Sequence, residues 1–283
     1  MTYLIASVNG TLIKENEAYI SIMDRGFTLA DGLFETMIAR RNKVINFERH
    51  FDRLKSGASI LDINIPEKEL LLSNIFDVLD SNSLDLSVVR LTMSRGYDYE
   101  RGLTIHDSIP SIVIRVSPHS VNEGNKVSLT VSSIRRNEAS PISNVKSISY
   151  VDSVIAKNQA IKNGFNDALL LNTKGNISCA TSSNVFVVQG DFLITPPAHE
   201  GVLLGVTRSI IIENVASVHL KMIEQSIKPD FNSFDEVFIT NVVSGITSVS
   251  SIDGVNIGSG NSDIANKFLN IYNEIILSGE FEI

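Results

Sequence analysis

The chain has no tryptophan and only one cysteine in 283 residues. A single cysteine excludes an internal disulfide and suits a reducing compartment, so a cytoplasmic protein is expected. No apolar run reaches transmembrane length, and residues 1–20 carry no signal-peptide pattern. Positive charge is also short: the net charge of −8 argues against nucleic-acid or anionic-membrane partners, so an anionic ligand would need local arginines. Internal repeats and low-complexity tracts are missing, and no residues suggest a metal site. What remains is a chain 43% hydrophobic and 20% charged, an ordinary globular composition, long enough for two domains.

One lysine heads an ordered run. Residues 145–188 read VKSISYVDSVIAKNQAIKNGFNDALLLNTKGNISCATSSNVFVV. Lys146 follows the turn-rich NEASPISN. Val151, Val154, Ile155, Ala156, Ala160 and Ile161 recur at helical spacing, and Lys162, Asn163 and Gly164 end that helix. Residues 168–171 read as a short apolar strand, Lys174-Gly175-Asn176 as a turn, and 185–188 as the returning strand. A lysine at the mouth of such a layout is a candidate for Schiff-base chemistry. Taken alone, a surface lysine before a helix is the commoner reading.

Upstream, residues 3–22 alternate around Asn9-Gly10 and read as a hairpin with a type I′ turn. MDRGFTLADGLFETMIARRNKVINFERHFDRLKSGASIL then reads as turn, strand (33–39), turn, strand (44–46) and helix (48–60). Asp24 and Glu35 read as structural acids, Glu35 paired with a nearby cation, and His50 as a packing or hydrogen-bonding residue. Residues 66–82 form a second helix with Leu70, Ile75, Val78 and Leu79 inward. Strands follow at 86–96 and 111–117, joined through RGYDYERG. The polar, turn-rich PHSVNEGNK (118–126) marks a linker between domains 1–117 and 127–283. GVLLGVTRSIIIENVAS opens a helix with Val206 and Thr207 at its start. Free N–H groups and the positive dipole end suit a phosphate there; alternatively Thr207 caps its own helix. DEVFITNVVSGI is a strand running into a small turn, and 262–278 is a closing helix.

Four blocks, in this order, resemble the class IV aminotransferases, the fold-type IV enzymes that use pyridoxal phosphate (PLP). That family includes branched-chain and D-amino-acid aminotransferases and aminodeoxychorismate lyase. D-R-G-F, A-D-G-L-F-E-T and H-x-x-R-L (His50, Arg53, Leu54) form the first block. Lys146, Ser147 and Tyr150, then Ser182, Asn184, Val185 and Phe186, form the second; GVLLGVTR and TNVVSGI are the third and fourth. The resemblance spans roughly residues 3–276. It implies an α+β fold of two domains, an N-terminal sheet-and-helix sandwich and a C-terminal pseudo-barrel carrying Lys146, in a homodimer acting on a small-molecule amino acid or amino-deoxy substrate.

The roles it implies are specific. Lys146 carries the Schiff base and moves the substrate Cα proton. Arg53, Val206, Thr207 and Val242 serve the phosphate, Tyr150 the ring hydroxyl, and Leu203 the ring face unless it is plain core. Arg95 and Arg101 are candidates for the substrate carboxylate, or else charges of a solvated loop. Transamination is the first expectation. A lyase-like reaction is the alternative, because the doubled R-G and TNVVSGI look closer to that branch.

Three departures stand out. Ala30 replaces a glycine, and Val242 and Val243 occupy a turn where a hydroxyl is usual. Cys179 stands where the pattern has the glutamate beside the pyridine nitrogen. A thiol cannot keep that nitrogen protonated near neutral pH. The reaction then needs less charge stabilisation, another acid serves the ring, or the chain is a binding relative that has lost catalysis.

Overall fold

The computed structural model describes residues 3–100, 102–106, 108–260 and 263–278. They fall into two units: residues up to Ser120 with Val145–Ser149 and the chain from Ile276, and Val121–Asn144 with Tyr150–Ile275.

In the first unit, β1 (Ile5–Val8) and β2 (Thr11–Lys14) form the expected hairpin, and Asn9 and Gly10 take φ of 52° and 81°, the positive pair a type I′ turn requires. With β3 (Gly32–Arg40), β4 (Lys43–Val44), β5 (Leu86–Ser94) and β6 (Ser111–Pro118) they make a sheet of order β2-β1-β6-β5-β3-β4, antiparallel throughout. Leu33, Met37 and Ala39 of β3 share a face. They bury against α2 (Phe47–Leu61) and α3 (Lys68–Asn82) with Leu54, Ala58, Ile75, Val78 and Leu79. Each leucine, isoleucine, valine or methionine so removed from water contributes about 1.5–3 kcal/mol.

The inward stripe of α3 differs by one step from expectation. Leu71 is buried with Ile75, Val78 and Leu79, whereas Leu70 is exposed. Residues 71, 75, 78 and 79 keep helical phase; three consecutive leucines hid it. The expected turn at residues 25–29 is a short helix, α1 (Arg25–Leu29), capped by Asp24, which accepts from Gly26 N–H at 2.7 Å and from Ser94 Oγ at 2.8 Å. Its C-cap, Ala30, sits at φ 55°, a left-handed conformation that explains why the family pattern has glycine there.

The second unit holds β7 (Lys126–Arg136), α4 (Val151–Lys162), β8 (Asp167–Asn172), β9 (Ile177–Ala180), β10 (Asn184–Gln189), β11 (Phe192–Thr195), α5 (Val206–Glu213), β12 (Lys221–Glu224), β13 (Glu236–Asn241), β14 (Gly245–Ile252), β15 (Val255–Asn256) and α6 (Asp263–Ser278). The strands make a mixed sheet of order β12-β11-β10-β13-β14-β7-β8-β9, with β15 on β14. Its ends approach each other: Ile177 of β9 donates to Ile227 O, just beyond β12, at 2.8 Å, closing the sheet toward a barrel.

The helix α4 lies differently from expectation. Ala156 and Ala160 are buried against Ala168 and Leu170, while Val151, Val154, Ile155 and Ile161 are exposed. Small residues let the helix approach the sheet closely, so its larger apolar side chains point away. No helix among the described residues is long and apolar enough to cross a membrane.

Candidate active site

In the first unit, β4 pairs only with the last two residues of β3, Ala39 and Arg40. The open start of that edge is taken by the lysine segment. Phe34 N–H donates to Lys146 O at 3.0 Å, Ile148 N–H donates to Gly32 O at 3.0 Å, and Leu33 faces Ser147. These bonds group Val145–Ser149 with the first unit, not with the second domain where the sequence reading placed Lys146.

The Lys146 amine lies 4.4 Å from the centroid of the Phe34 ring, and the Arg90 guanidinium lies 3.8 Å from the same centroid. Burial, then the charges of Arg53 and Arg90, lower the amine's pKa to about 8, with Glu35 acting in the other direction. At neutral pH roughly a tenth of the amine is then free base, far more than for an ordinary lysine.

Glu35 comes from the helix-facing side of β3. Arg53 grips it with two bonds, Nε to Oε1 at 2.8 Å and Nη2 to Oε2 at 2.6 Å, and His50 Nδ1 lies 2.7 Å from Oε2. The cation expected near Glu35 is therefore Arg53 itself. Burial raises the Glu35 pKa, but Arg53 and His50 outweigh it and hold the carboxyl at about 2. Burial pushes His50 down, so the imidazole stays neutral and donates to the carboxylate.

Arg95, a carboxylate candidate from the sequence, is already engaged. It is buried, with Nε and Nη2 on Asp31 at 2.7 and 3.2 Å, Nη1 on Asp62 O and Nη2 on Leu61 O, both at 2.6 Å. It ties the end of α2 to the strand side, and little of it remains for a substrate. Arg101 lies outside the described residues. Arg90 was missed; the available signal was a lone charge inside the apolar strand LSVVRLTMS.

In the second unit, Asn184 pins the approach to α5 by donating to Leu203 O at 2.7 Å. A Cβ on Gly205 would lie 2.2 Å from Asn184 Oδ1, so only glycine fits this N-cap position. Gly205 offers no side-chain cap, and the buried Thr207 Oγ1 has no hydrogen-bond partner among the described residues. The alternative in which Thr207 caps its own helix is therefore not realised. Val206 is buried and Leu203 half-buried, so Leu203 is not plain core.

In the turn after β13, Asn241 Oδ1 already accepts from Val243 N–H at 2.9 Å and Ser244 N–H at 2.7 Å, which leaves Val242 N–H as the backbone donor not spent on that side chain. Tyr150 is half-buried at the start of α4.

Cys179 packs beside Ala156, Ala160, Ala168 and Leu170. A bulge between β8 and β9 turns it away from the barrel core that holds Ile177. Burial pushes its thiol pKa up, with the Arg136 charge opposing. Asp167, the carboxylate that acts on it, is already engaged by Thr181 Oγ1 at 2.6 Å, Ala168 N–H at 2.7 Å and Lys157 at 3.2 Å.

An unpartnered buried hydroxyl at an uncapped helix start fits a phosphate, and a lysine amine with a pKa near 8 fits an aldehyde. The family model for class IV aminotransferases matches residues 32–252. The chain belongs to that family of PLP-dependent enzymes. It is 33% identical over 254 residues, 87% of each chain, to a Methanocaldococcus jannaschii protein named as a branched-chain-amino-acid aminotransferase. Its fold matches the branched-chain aminotransferase of Thermoproteus uzoniensis solved with norvaline, with a TM-score of 0.91 and 24% identity over 99% of this chain and 96% of that one. A Legionella pneumophila protein named as a 4-amino-4-deoxychorismate lyase matches with a TM-score of 0.85 and 27% identity, over 92% and 97% of the two chains.

Proposed function

We propose that the chain is an aminotransferase acting on an α-amino acid, with Lys146 as its covalent and proton-transferring residue. The observation that carries this reading is the amine itself, set beside Arg53 and Arg90 with its pKa at about 8. When bound, PLP supplies the aldehyde that a lysine captures and a conjugated ring that takes up charge from a substrate carbon. Lys146 attacks as free base and later carries the proton at substrate Cα. In the second unit the N–H groups of Val206 and Thr207, the Thr207 hydroxyl and Val242 N–H would receive phosphate oxygens; in the first unit Arg53 is the guanidinium suited to an anionic group. Leu203 would serve the ring face, Tyr150 the ring hydroxyl and Cys179 the ring nitrogen. Arg90 replaces Arg95 as the residue for the substrate carboxylate, since it shares the Phe34 ring with the Lys146 amine.

The test is a half-reaction. The PLP-loaded protein is mixed with a panel of L- and D-amino acids, and formation of the matching 2-oxo acid is followed. At least one donor is expected to react, with Arg90→Met raising its KM; a panel without amino transfer sinks the reading.

The RGYDYERG and TNVVSGI stretches favour a second reading, a lyase-like reaction on an amino-deoxy substrate, and the thiol favours a third, a binding relative that has lost catalysis. A neutral ring nitrogen would make the ring a weaker acceptor of charge. Cys179→Glu tests whether the thiol limits catalysis. Where the thiol limits transamination, the folded variant transaminates about tenfold faster, the equivalent of one unit in pKa. Overpacking by the longer side chain costs ~1–3 kcal/mol and is read from a thermal melt. Brisk wild-type turnover that the substitution leaves unchanged would mean that the ring is protonated by another route.

A homodimer, in the cytoplasm that the single thiol suits, completes the proposal. In the first unit Tyr19, Ile22, Phe27, Tyr99, Leu103 and Ile109 are all at least 76% exposed. Arg25 Nη1 donates to Gly102 O and Thr104 O, and Asp24 bridges Tyr97, so the two apolar segments are neighbours. Large apolar side chains grouped in this way suit a second copy of the chain. Sedimentation should give a dimer, and Phe27→Asp with Leu103→Asp a monomer; a monomeric wild type rules the dimer out.

A further inference from the structure

Tyr272 lies on α6, beyond the residues that the family model matches. Its phenol donates to Val242 O at 2.7 Å. Burial pushes the phenol's pKa well above its ordinary value, partly offset by the neighbouring Thr207 hydroxyl. The ring stands against Gly245, where a Cβ would lie 2.9 Å from Cδ1 and 3.1 Å from Cε1. One side chain thus adjoins the start of α5 and both ends of the turn after β13. The helix carrying it is itself docked, because Glu236 accepts from Ile264 and Ala265 N–H and Asn273 donates to Asn122 O.

We propose that Tyr272 is a positioning residue for the phosphate of the cofactor, an inference that rests on reading the α5 start as the phosphate site. The peptide joining Val242 to Val243 is held at both ends: its carbonyl by Tyr272, its N–H by Asn241 Oδ1. A peptide bonded on both sides resists rotation, and the adjoining peptide that carries Val242 N–H lies between it and Asn241, which pairs with Gly245. The phenol's proton is committed to Val242 O, and the Thr207 hydroxyl beside it makes no hydrogen bond of good geometry among the described residues. With two valines in the turn, backbone geometry must do what a hydroxyl side chain would otherwise do, and Tyr272 sets that geometry.

Tyr272→Phe keeps the ring against Gly245 and removes one O–H. Wild type and variant are titrated with PLP and with pyridoxal, which lacks the phosphate, and the ³¹P shift of bound PLP is recorded. The expected result is PLP binding weakened about fivefold, the scale of one lost hydrogen bond, with pyridoxal binding unchanged and the ³¹P signal moved. Equal loss for both ligands would mark Tyr272 as merely structural, and a PLP titration identical to wild type would also overturn the proposal. A wild type that binds PLP no better than pyridoxal would remove the phosphate reading, and this proposal with it.

Discussion

Lys146→Ala should give a folded protein that no longer captures PLP covalently, with turnover lower by roughly 10⁴-fold or more. Folding should survive because the segment is held by main-chain bonds to Phe34 and Gly32, which alanine keeps, and by Val145 in the core. Removing the amine should even relieve the chain, since burial and two arginines disfavour its charge. The sign follows from the lowered pKa. Between about pH 8 and the ordinary lysine value of ~10.5, the unfolded chain binds more protons than the folded one, so folding gains with rising pH. The cost of the charged amine is fully present below about pH 8. Wild type should therefore gain on Lys146→Ala through that window, read from urea melts. Aldehyde capture by wild type should rise with pH through a midpoint near 8 and level off above it. A midpoint above 10, or a borohydride-fixed cofactor on a different lysine, would show that Lys146 is not the reacting amine.

Arg53→Ala should be the most destabilising of these single changes. It leaves Glu35 in the core with the neutral His50 imidazole and the Lys146 amine but no guanidinium, and breaking a buried pair from one side costs about 3–5 kcal/mol. The double variant Arg53→Ala/Glu35→Gln should recover much of that loss, because no unpaired charge remains. Wild type should also lose stability in acid. Glu35 is held at about 2, so its contribution, on the order of 3 kcal/mol, is whole above about pH 4.5 and fades as pH falls toward 2. Glu35→Gln should lack that acid limb. In the double variant, PLP affinity should still be below wild type by the ~1.5–3 kcal/mol of a charge-assisted contact. An Arg53→Ala melt within 1 kcal/mol of wild type would contradict a buried pair.

The family blocks, the order of most elements and the structural parts played by Asp24, Glu35 and His50 were legible in the sequence, because turn residues, periodicity and fixed spacings carry them. Other features depend on tertiary placement. The apolar run on α4 has clear helical spacing, yet its alanines decide which side meets the sheet, because close approach outweighs side-chain size. Arg95 looked like a ligand residue until Asp31 and two carbonyls at the end of α2 claimed its donors. Arg90 could not be placed because its meaning lies in a ring shared with a lysine far along the chain. The departure at Ala30 was visible, but its physical sense, a left-handed cap, came only with the backbone.

The sealing of β3 by residues 145–149 also sets an order of events during synthesis. A nascent chain can pair β1 to β6 and pack α2 and α3 while the start of β3 still presents an open edge. Such an edge invites pairing with foreign strands, and closing it requires a contact across a long stretch of sequence, the slow kind. Lys146 gains its neighbours Phe34, Arg53 and Arg90 at that same closure. Until then the amine lacks the burial and the two neighbouring guanidinium groups that lower its pKa, so the closure that seals the strand is also what makes the lysine a better nucleophile.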